Sequence, residues 1–251
     1  QLSADSRIQG IMFTGSTEVA HILQKTVAER LNQFGESVTL IAETGGQNAM
    51  IVDSSALTEQ VVLDVVNSAY DSAGQRCSAL RVLCVQEDNL DAVRTMLKGA
   101  MQQLRVGNPI LLKTDIGPVI DLEAQQNIQT HIQQMRNKGH KVHQLMFNQD
   151  ETELTHGTFI PPTLIELPSL NDLEREVFGP VLHLISYKYG ELEQLLEQIN
   201  SKGYGLTMGL HTRIDETIQT VIARAEVGNL YINRTIVGAV VGVQPFGGEG
   251  L

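Results

Sequence analysis

The sequence contains no tryptophan, only two cysteines, and 4% aromatic residues in all. Two cysteines in a chain of 251 residues exclude a disulfide scaffold and point to a reducing compartment. Cys77 and Cys84 form no Cys-x-x-Cys pair. His140 and His143 stand in a polar Asn-Lys-Gly-His-Lys stretch that reads as a solvated turn, so no metal site is expected. No apolar run approaches the ~18 residues of a membrane span. The first residues, Gln-Leu-Ser-Ala-Asp-Ser-Arg, lack the basic-then-apolar order of a signal peptide. Positive charge is also scarce: 18 Lys and Arg stand against 29 Asp and Glu, a net charge of -11, with no basic cluster. Nucleic acid is therefore not the expected partner.

Short β-type runs alternate with helical periodicity along the whole chain. Gln9–Phe13, Val38–Ala42, Ala49–Val52, Arg81–Val85, Val142–Phe147, Leu182–Tyr187, Leu206–His211 and Asn229–Ile232 read as strands. Between them lie helical stripes. Val19, Ile22, Leu23, Val27 and Leu31 mark the first, and Val61, Val62, Val65, Val66 and Ala69 the second. Others centre on Val93 and Leu97, on Ile128 and Ile132, on Leu195 and Ile199, and on Val221 and Ile222. This order predicts an α/β fold with a mostly parallel sheet. The glycine-rich last residues and the strand almost at the start read as the ends of a piece cut from a larger protein.

Four segments carry chemistry. Phe13-Thr14-Gly15-Ser16-Thr17-Glu18 runs from a strand into a helix start, where free N–H groups bind phosphate; the same residues also fit an ordinary capped helix. Glu43-Thr44-Gly45-Gly46 puts a carboxylate at the end of a strand, where open α/β sheets place ligands, and two glycines beside it; a solvated Glu beside a turn fits equally. Ser72-Ala73-Gly74-Gln75-Arg76-Cys77-Ser78-Ala79 sets Cys77 in a short polar connection next to cationic Arg76, surroundings that suit a nucleophilic thiol. Cys84, on an apolar strand, reads as an inert core residue. Glu176-Val177-Phe178-Gly179-Pro180 offers a hydroxyl acceptor or a surface charge before a Gly-Pro turn.

Taken together, in this order and spacing, these segments resemble the aldehyde dehydrogenase superfamily. Ala42–Leu57, Ser72–Leu83, Val227–Arg234 and Val240–Leu251 further resemble the branch that forms the dehydrogenase half of bacterial bifunctional proline-utilising enzymes, and the likeness extends over essentially the whole chain. The resemblance implies NAD-dependent oxidation of L-glutamate γ-semialdehyde, derived from 1-pyrroline-5-carboxylate, to L-glutamate. It implies Cys77 as nucleophile and Glu43 as the base that activates the deacylating water. Gly15 and Ser16 would meet the pyrophosphate of NAD, Thr44 and Gly45 the nicotinamide, Glu176 its ribose and Phe178 its ring. Ser78, with Gly238, Ala239 and Phe246, would hold the amino-acid end of the substrate.

The same resemblance divides the chain into residues 1–45, the remnant of a Rossmann-type NAD-binding domain, and 46–251, a truncated thiol domain. It implies a cytoplasmic parent, peripheral to the inner membrane at most. A proline dehydrogenase domain with FAD is expected in the same polypeptide. The family's oxyanion-stabilising asparagine, in a Pro-Trp-Asn type motif, has no counterpart here and is expected upstream of Gln1; the flap that drives dimerisation has no counterpart here either. The fragment alone is therefore expected to be inactive, and its uncovered strand edge to favour self-association. Three alternatives remain at this point: another aldehyde dehydrogenase, a non-redox cysteine acyl-enzyme hydrolase, and a catalytically silent interaction module.

Overall fold

The computed structural model describes residues 2–146, 154, 156–240, 242–244 and 246–250. These fall into two compact units, one reaching to Gly45 and the other spanning Gly46–Gly250.

The first unit is a single β-α-β crossover. Strand β1 (Gly10–Thr14) leads to helix α1 (Thr17–Ala28) and then to β2 (Thr39–Glu43), parallel to β1 from Gly10↔Thr39 to Thr14↔Glu43. Ser16 caps α1, its side chain accepting from the Val19 N–H at 3.3 Å. Arg30 ties the segment before β1 to the helix end by donating to the Ser3 and Ile8 carbonyls. Only Val27 of the expected apolar stripe is buried, Ile22 is exposed, and the helix stops before Leu31. Two strands cannot cover a helix face, and Met12 and Ile41, partners in the ladder, are likewise exposed.

The second unit holds the core. Its elements run β3 (Ala49–Val52), α2 (Thr58–Tyr70), a 3-10 turn (Asp71–Gly74), β4 (Val82–Gln86), α3 (Glu87–Met101), α4 (Leu122–Asn137), β5 (Lys141–Gln144) and β6 (Thr163–Glu166). Then follow β7 (Val181–Tyr187), α5 (Leu192–Asn200), β8 (Tyr204–Gly205), β9 (Thr207–His211), α6 (Asp215–Arg224), β10 (Asn229–Ile232) and β11 (Glu249–Gly250). Seven strands form one sheet in the order β10-β9-β3-β4-β7-β6-β5, parallel throughout except for β5 against β6. β11 and β8 make a separate antiparallel ladder. Every residue of β3, β4 and β9 is buried, as expected of inner strands covered on both faces by helices.

Strand β6 is absent from the sequence-based expectation. It is four residues long and follows Pro161-Pro162, a pair that reads as a turn. Its place is set by partners far along the chain: Thr163 donates to the Pro180 carbonyl, and Tyr70 Oη donates to the Thr163 carbonyl. Phe147, assigned to the preceding strand, lies outside the described residues, as do Val241, Pro245 and Leu251 of the glycine-rich segment.

Two histidines meet between β7 and α4, His183 buried and His131 half-buried. His183, on β7, places Nδ1 3.1 Å from the Arg81 carbonyl, and its Nε2 is 2.9 Å from His131 Nε2 on α4. The carbonyl can only accept, so His183 Nδ1 carries the proton, its Nε2 accepts, and His131 Nε2–H donates. His183 is therefore neutral, and burial, which pushes His131 down to about 4 and His183 to about 3, keeps both rings neutral near pH 7. His211 is likewise pushed down to about 4 by burial. These values lie below that of an unfolded histidine, so the unfolded chain binds more protons once the pH drops below about 6.5. Stability is expected to be highest above that pH and to fall as the pH is lowered, by at most about 1.4 kcal/mol per pH unit from the fully buried His183 and by less from the other two. Urea melts between pH 7 and 5 test this, and His131→Gln should flatten the slope. A midpoint independent of pH would contradict it.

Candidate active site

The site of the second unit is built at the amino ends of its parallel strands. Gly46, Gln47 and Asn48 lead into β3, Cys77–Arg81 into β4, and Glu176–Pro180 into β7. Open α/β sheets usually place ligands at the opposite, carboxyl ends, which is where Glu43 stands on β2 of the first unit.

The Cys77 turn is shaped by backbone that few residues adopt. After α2, Ser72 and Ala73 take φ of 55° and 54°, and Gly74 takes 65°. Successive left-handed residues break the helix and turn the chain outward. Gly74 also sits where a Cβ would lie 2.2 Å from the Gly179 carbonyl oxygen. Beyond it, Asn48 Nδ2 donates to the carbonyls of Cys77 (2.7 Å) and Ala79 (2.9 Å), while its Oδ1 accepts from the Thr207 N–H. Asn48 is buried, so the carbonyls of the residues before and after Ser78 are held by one side chain. Gly46 passes so close that a Cβ there would be 3.0 Å from the Cys77 carbonyl oxygen. The Leu80 N–H donates to the Ser68 carbonyl, and Ser68 Oγ accepts from the Ile236 N–H; one serine of α2 thus anchors both the Cys77 turn and the loop that follows β10. Cys77 is half-buried, whereas Cys84 is fully enclosed and its thiol is pushed up by burial.

The cation that matters here is Arg81. Arg76, singled out from the sequence, pairs with Asp71 at 2.9 Å and with Ser72 Oγ, and its side chain is half-exposed. Arg81 is fully buried. Its Nε and Nη2 donate to Glu176 Oε1 at 3.1 and 3.0 Å. Its Nη1 donates to the carbonyls of Gly74 (2.7 Å) and Gly179 (3.2 Å), and Nη2 also reaches that of Arg76 (3.3 Å). The guanidinium lies 5.1 Å from the centre of the Phe178 ring, whose other parts stay exposed. Glu176 Oε2 accepts from the Gly46 N–H at 3.1 Å. Burial raises the Glu176 carboxyl, opposed by Arg81 and by that N–H. The carboxylate oxygens keep further lone pairs with which to accept from hydroxyl groups.

The remaining sequence-predicted residues are placed as follows. Ser78 adjoins Cys77 and is half-buried. Gly238 (φ 80°), Ala239 and Phe246 belong to the loop after β10, with Gly238 and Phe246 exposed. Glu43 ends β2 in the first unit, and its carbonyl accepts from the Gly15 N–H at 3.1 Å. Gly15 and Ser16 open α1 and are exposed, though the Ser16 oxygen already caps the helix. Thr44 and Gly45 follow β2; Thr44 Oγ1 is buried without a hydrogen-bond partner. Among the described residues no group of three or more His, Cys, Asp or Glu is arranged to hold a metal ion. No helix among them is long and apolar enough to cross a membrane.

Residues 1–251 match the model of the aldehyde dehydrogenase family. The chain belongs to that family. It is 65% identical over 252 residues to the bifunctional protein PutA of Klebsiella aerogenes, covering all of this chain and 19% of that protein. A crystal structure of bifunctional proline utilization A superposes with a TM-score of 0.92 at 48% identity, covering 99% of this chain and 24% of the other. A 1-pyrroline-5-carboxylate dehydrogenase from Thermus with bound NAD superposes with a TM-score of 0.87 at 34% identity, covering 99% of this chain and 47% of that one. The chain thus spans about a fifth of the curated relative and less than half of the Thermus enzyme.

Sequence reasoning missed Arg81, Asn48 and Ser68. Only Arg81 left a signal, an arginine at the mouth of an apolar strand, where a charge is rare unless paired. Asn48 and Ser68 are ordinary residues in ordinary positions, and their roles follow from partners distant in sequence.

Proposed function

We propose that this chain carries the thiol chemistry of an NAD-dependent L-glutamate γ-semialdehyde dehydrogenase, within a polypeptide that also holds a FAD-dependent proline dehydrogenase domain. The single observation that carries the reading is the Cys77 turn. One half-buried thiol is presented on a peptide clamped by Asn48, next to a buried Arg81–Glu176 pair. The other cysteine is closed to solvent.

The residues fit the cofactor. Glu176 is oriented by Arg81 and Gly46 with acceptor capacity to spare for the ribose hydroxyls, and Phe178 offers an exposed ring. The buried, unpartnered Thr44 Oγ1 suits the nicotinamide end, beside Gly45. Gly15 and Ser16, opening α1, suit the pyrophosphate. When bound, NAD supplies the acceptor for the aldehyde hydride.

The chain's own residues do the rest. Cys77 Sγ adds to the aldehyde carbon and holds it through oxidation as a thioester, dividing one hard step into two easier ones. The Cys77 backbone N–H donates to the oxygen that gains charge as sulfur adds. Glu43 takes a proton from water, which attacks the thioester and releases L-glutamate. Ser78, Gly238, Ala239 and Phe246 receive the amino-acid end of the substrate. The setting is the cytoplasm, consistent with cysteines that remain free thiols.

The test is direct. The complete polypeptide, given proline-derived semialdehyde and NAD, is expected to form NADH and glutamate in equal amounts. Formation of an acid from a thioester or ester without NADH, and none from the aldehyde, would establish a hydrolase instead.

A further inference from the structure

The reading above gives roles to Cys77 and Glu176 but none to the residue that joins them. Arg81 spends its guanidinium on five oxygen contacts that belong to two separate loops. Three lie on or before the Cys77 turn or its neighbour strand loop: the carbonyls of Gly74, Arg76 and Gly179. Two go to Glu176 Oε1. Its side chain is 1% exposed, and that of Glu176 13%. A planar fork holding several acceptors at fixed angles is a task that lysine's single ammonium cannot perform.

The contacts are selective. Gly74 and Arg76 flank Gln75, and the residue after Arg76 is Cys77. The Gly74 carbonyl lies at the end of the left-handed stretch. Gly179 is the residue against which Gly74 packs. The same guanidinium lies against Phe178. Removing it would free the nucleophile turn and the Glu176–Gly179 loop together, and would leave a buried carboxylate without its cation.

We propose that Arg81 is a positioning residue that locks the Glu176 carboxylate and the Cys77 turn into one unit, so that the ribose acceptor and the nucleophile keep a fixed relation. This rests on the dehydrogenase reading for what Glu176 binds, but not for what Arg81 holds. Its hydrogen bonds go to Glu176 and to the backbone of the two loops, and it acts through them.

The experiment uses the complete polypeptide with Arg81→Gln, Glu176→Gln, the double variant and Arg81→Lys. NAD affinity is measured by calorimetry and Cys77 labelling by iodoacetamide at one pH, with Cys84 protection as the check on folding. Arg81→Gln and Glu176→Gln are each expected to weaken NAD about tenfold. The double variant is expected to be within about twofold of either single one, because both changes remove the same carboxylate geometry. A merely structural role would multiply the losses instead.

Arg81→Lys is expected to separate the two tasks. One ammonium can hold Glu176 and keep NAD within about threefold, yet cannot hold the Gly74 and Arg76 carbonyls, so Cys77 labelling stays altered. If Arg81→Gln does not fold, the lysine variant decides alone. Multiplied losses in the double variant, or a lysine variant matching the parent in both measurements, would overturn the proposal. Failure to bind NAD at all would sink the dehydrogenase reading, while the labelling rates would still decide the role of Arg81 on the turn.

Discussion

Replacing Cys77 by Ala in the complete polypeptide is expected to lower aldehyde oxidation by about 10⁴-fold or more, with folding stability little changed. That factor corresponds to roughly 5 kcal/mol of transition-state stabilisation, far more than a half-buried thiol contributes to packing. The backbone around Cys77 is held by Asn48, Arg81 and Ser68 rather than by the sulfur, so the turn should keep its shape without it. NAD affinity should remain within a few fold, since the residues proposed to bind it do not include the thiol. Cys77→Ser should be nearly as inactive, because a hydroxyl lacks the thiolate fraction that makes cysteine reactive near neutral pH. Activity retained in the alanine variant would mean that the covalent role belongs elsewhere.

The second large effect is expected at Gly74. Alanine there meets two obstacles, a φ of 65° and a Cβ 2.2 Å from the Gly179 carbonyl oxygen. The oxygen belongs to backbone and cannot rotate aside. It also accepts from Arg81, so any shift that admits the methyl group loosens the guanidinium that holds the turn. The cost is expected to be on the order of 3–5 kcal/mol, read as a fall of roughly 10 °C in Tm, with aldehyde oxidation reduced in the fraction that still folds. Gly99 provides the control. It lies in α3 with nothing within 4 Å of its added Cβ, and Gly99→Ala is expected to stabilise by about 0.5–1 kcal/mol. Equal effects at the two glycines would remove the steric argument.

The fold was largely legible because its core strands advertise themselves. Ala49–Val52 and Asn229–Ile232 have the same limits in the sequence reading and in the structure, and the periodicity of α2 matches its buried side. The α/β class followed from the same residues, while the family was legible by resemblance in motifs such as Glu43-Thr44-Gly45-Gly46 and Gly74-Gln75-Arg76-Cys77. What escaped depends on distance along the chain. β6 is four residues behind two prolines and is defined by β5 and β7 on either side. The α1 stripe misled because apolar periodicity states which face wants cover, and the two strands of its unit are too few to give it.

At the site, the local motifs identified which residues to look at but not how they are wired. Arg76 stood beside Cys77 in sequence and drew the eye, yet its charge is taken up by Asp71. Arg81, farther along, runs back beneath the turn. No spacing rule would pair it with Glu176, which lies on a loop before a different strand. The carboxyl-end expectation for parallel strands was attached to Glu43, which does end β2, whereas the Cys77, Gly46 and Glu176 loops enter their strands at the amino edge.

The most direct measurement of the central claim is mass spectrometry of the complete protein, acid-quenched early in turnover with semialdehyde and NAD. Glu43→Gln is used so that the covalent species builds up. The account predicts one γ-glutamyl group on the peptide that contains Cys77, absent without NAD. Turnover with Cys77 never acylated, or with the group on another residue, would contradict it.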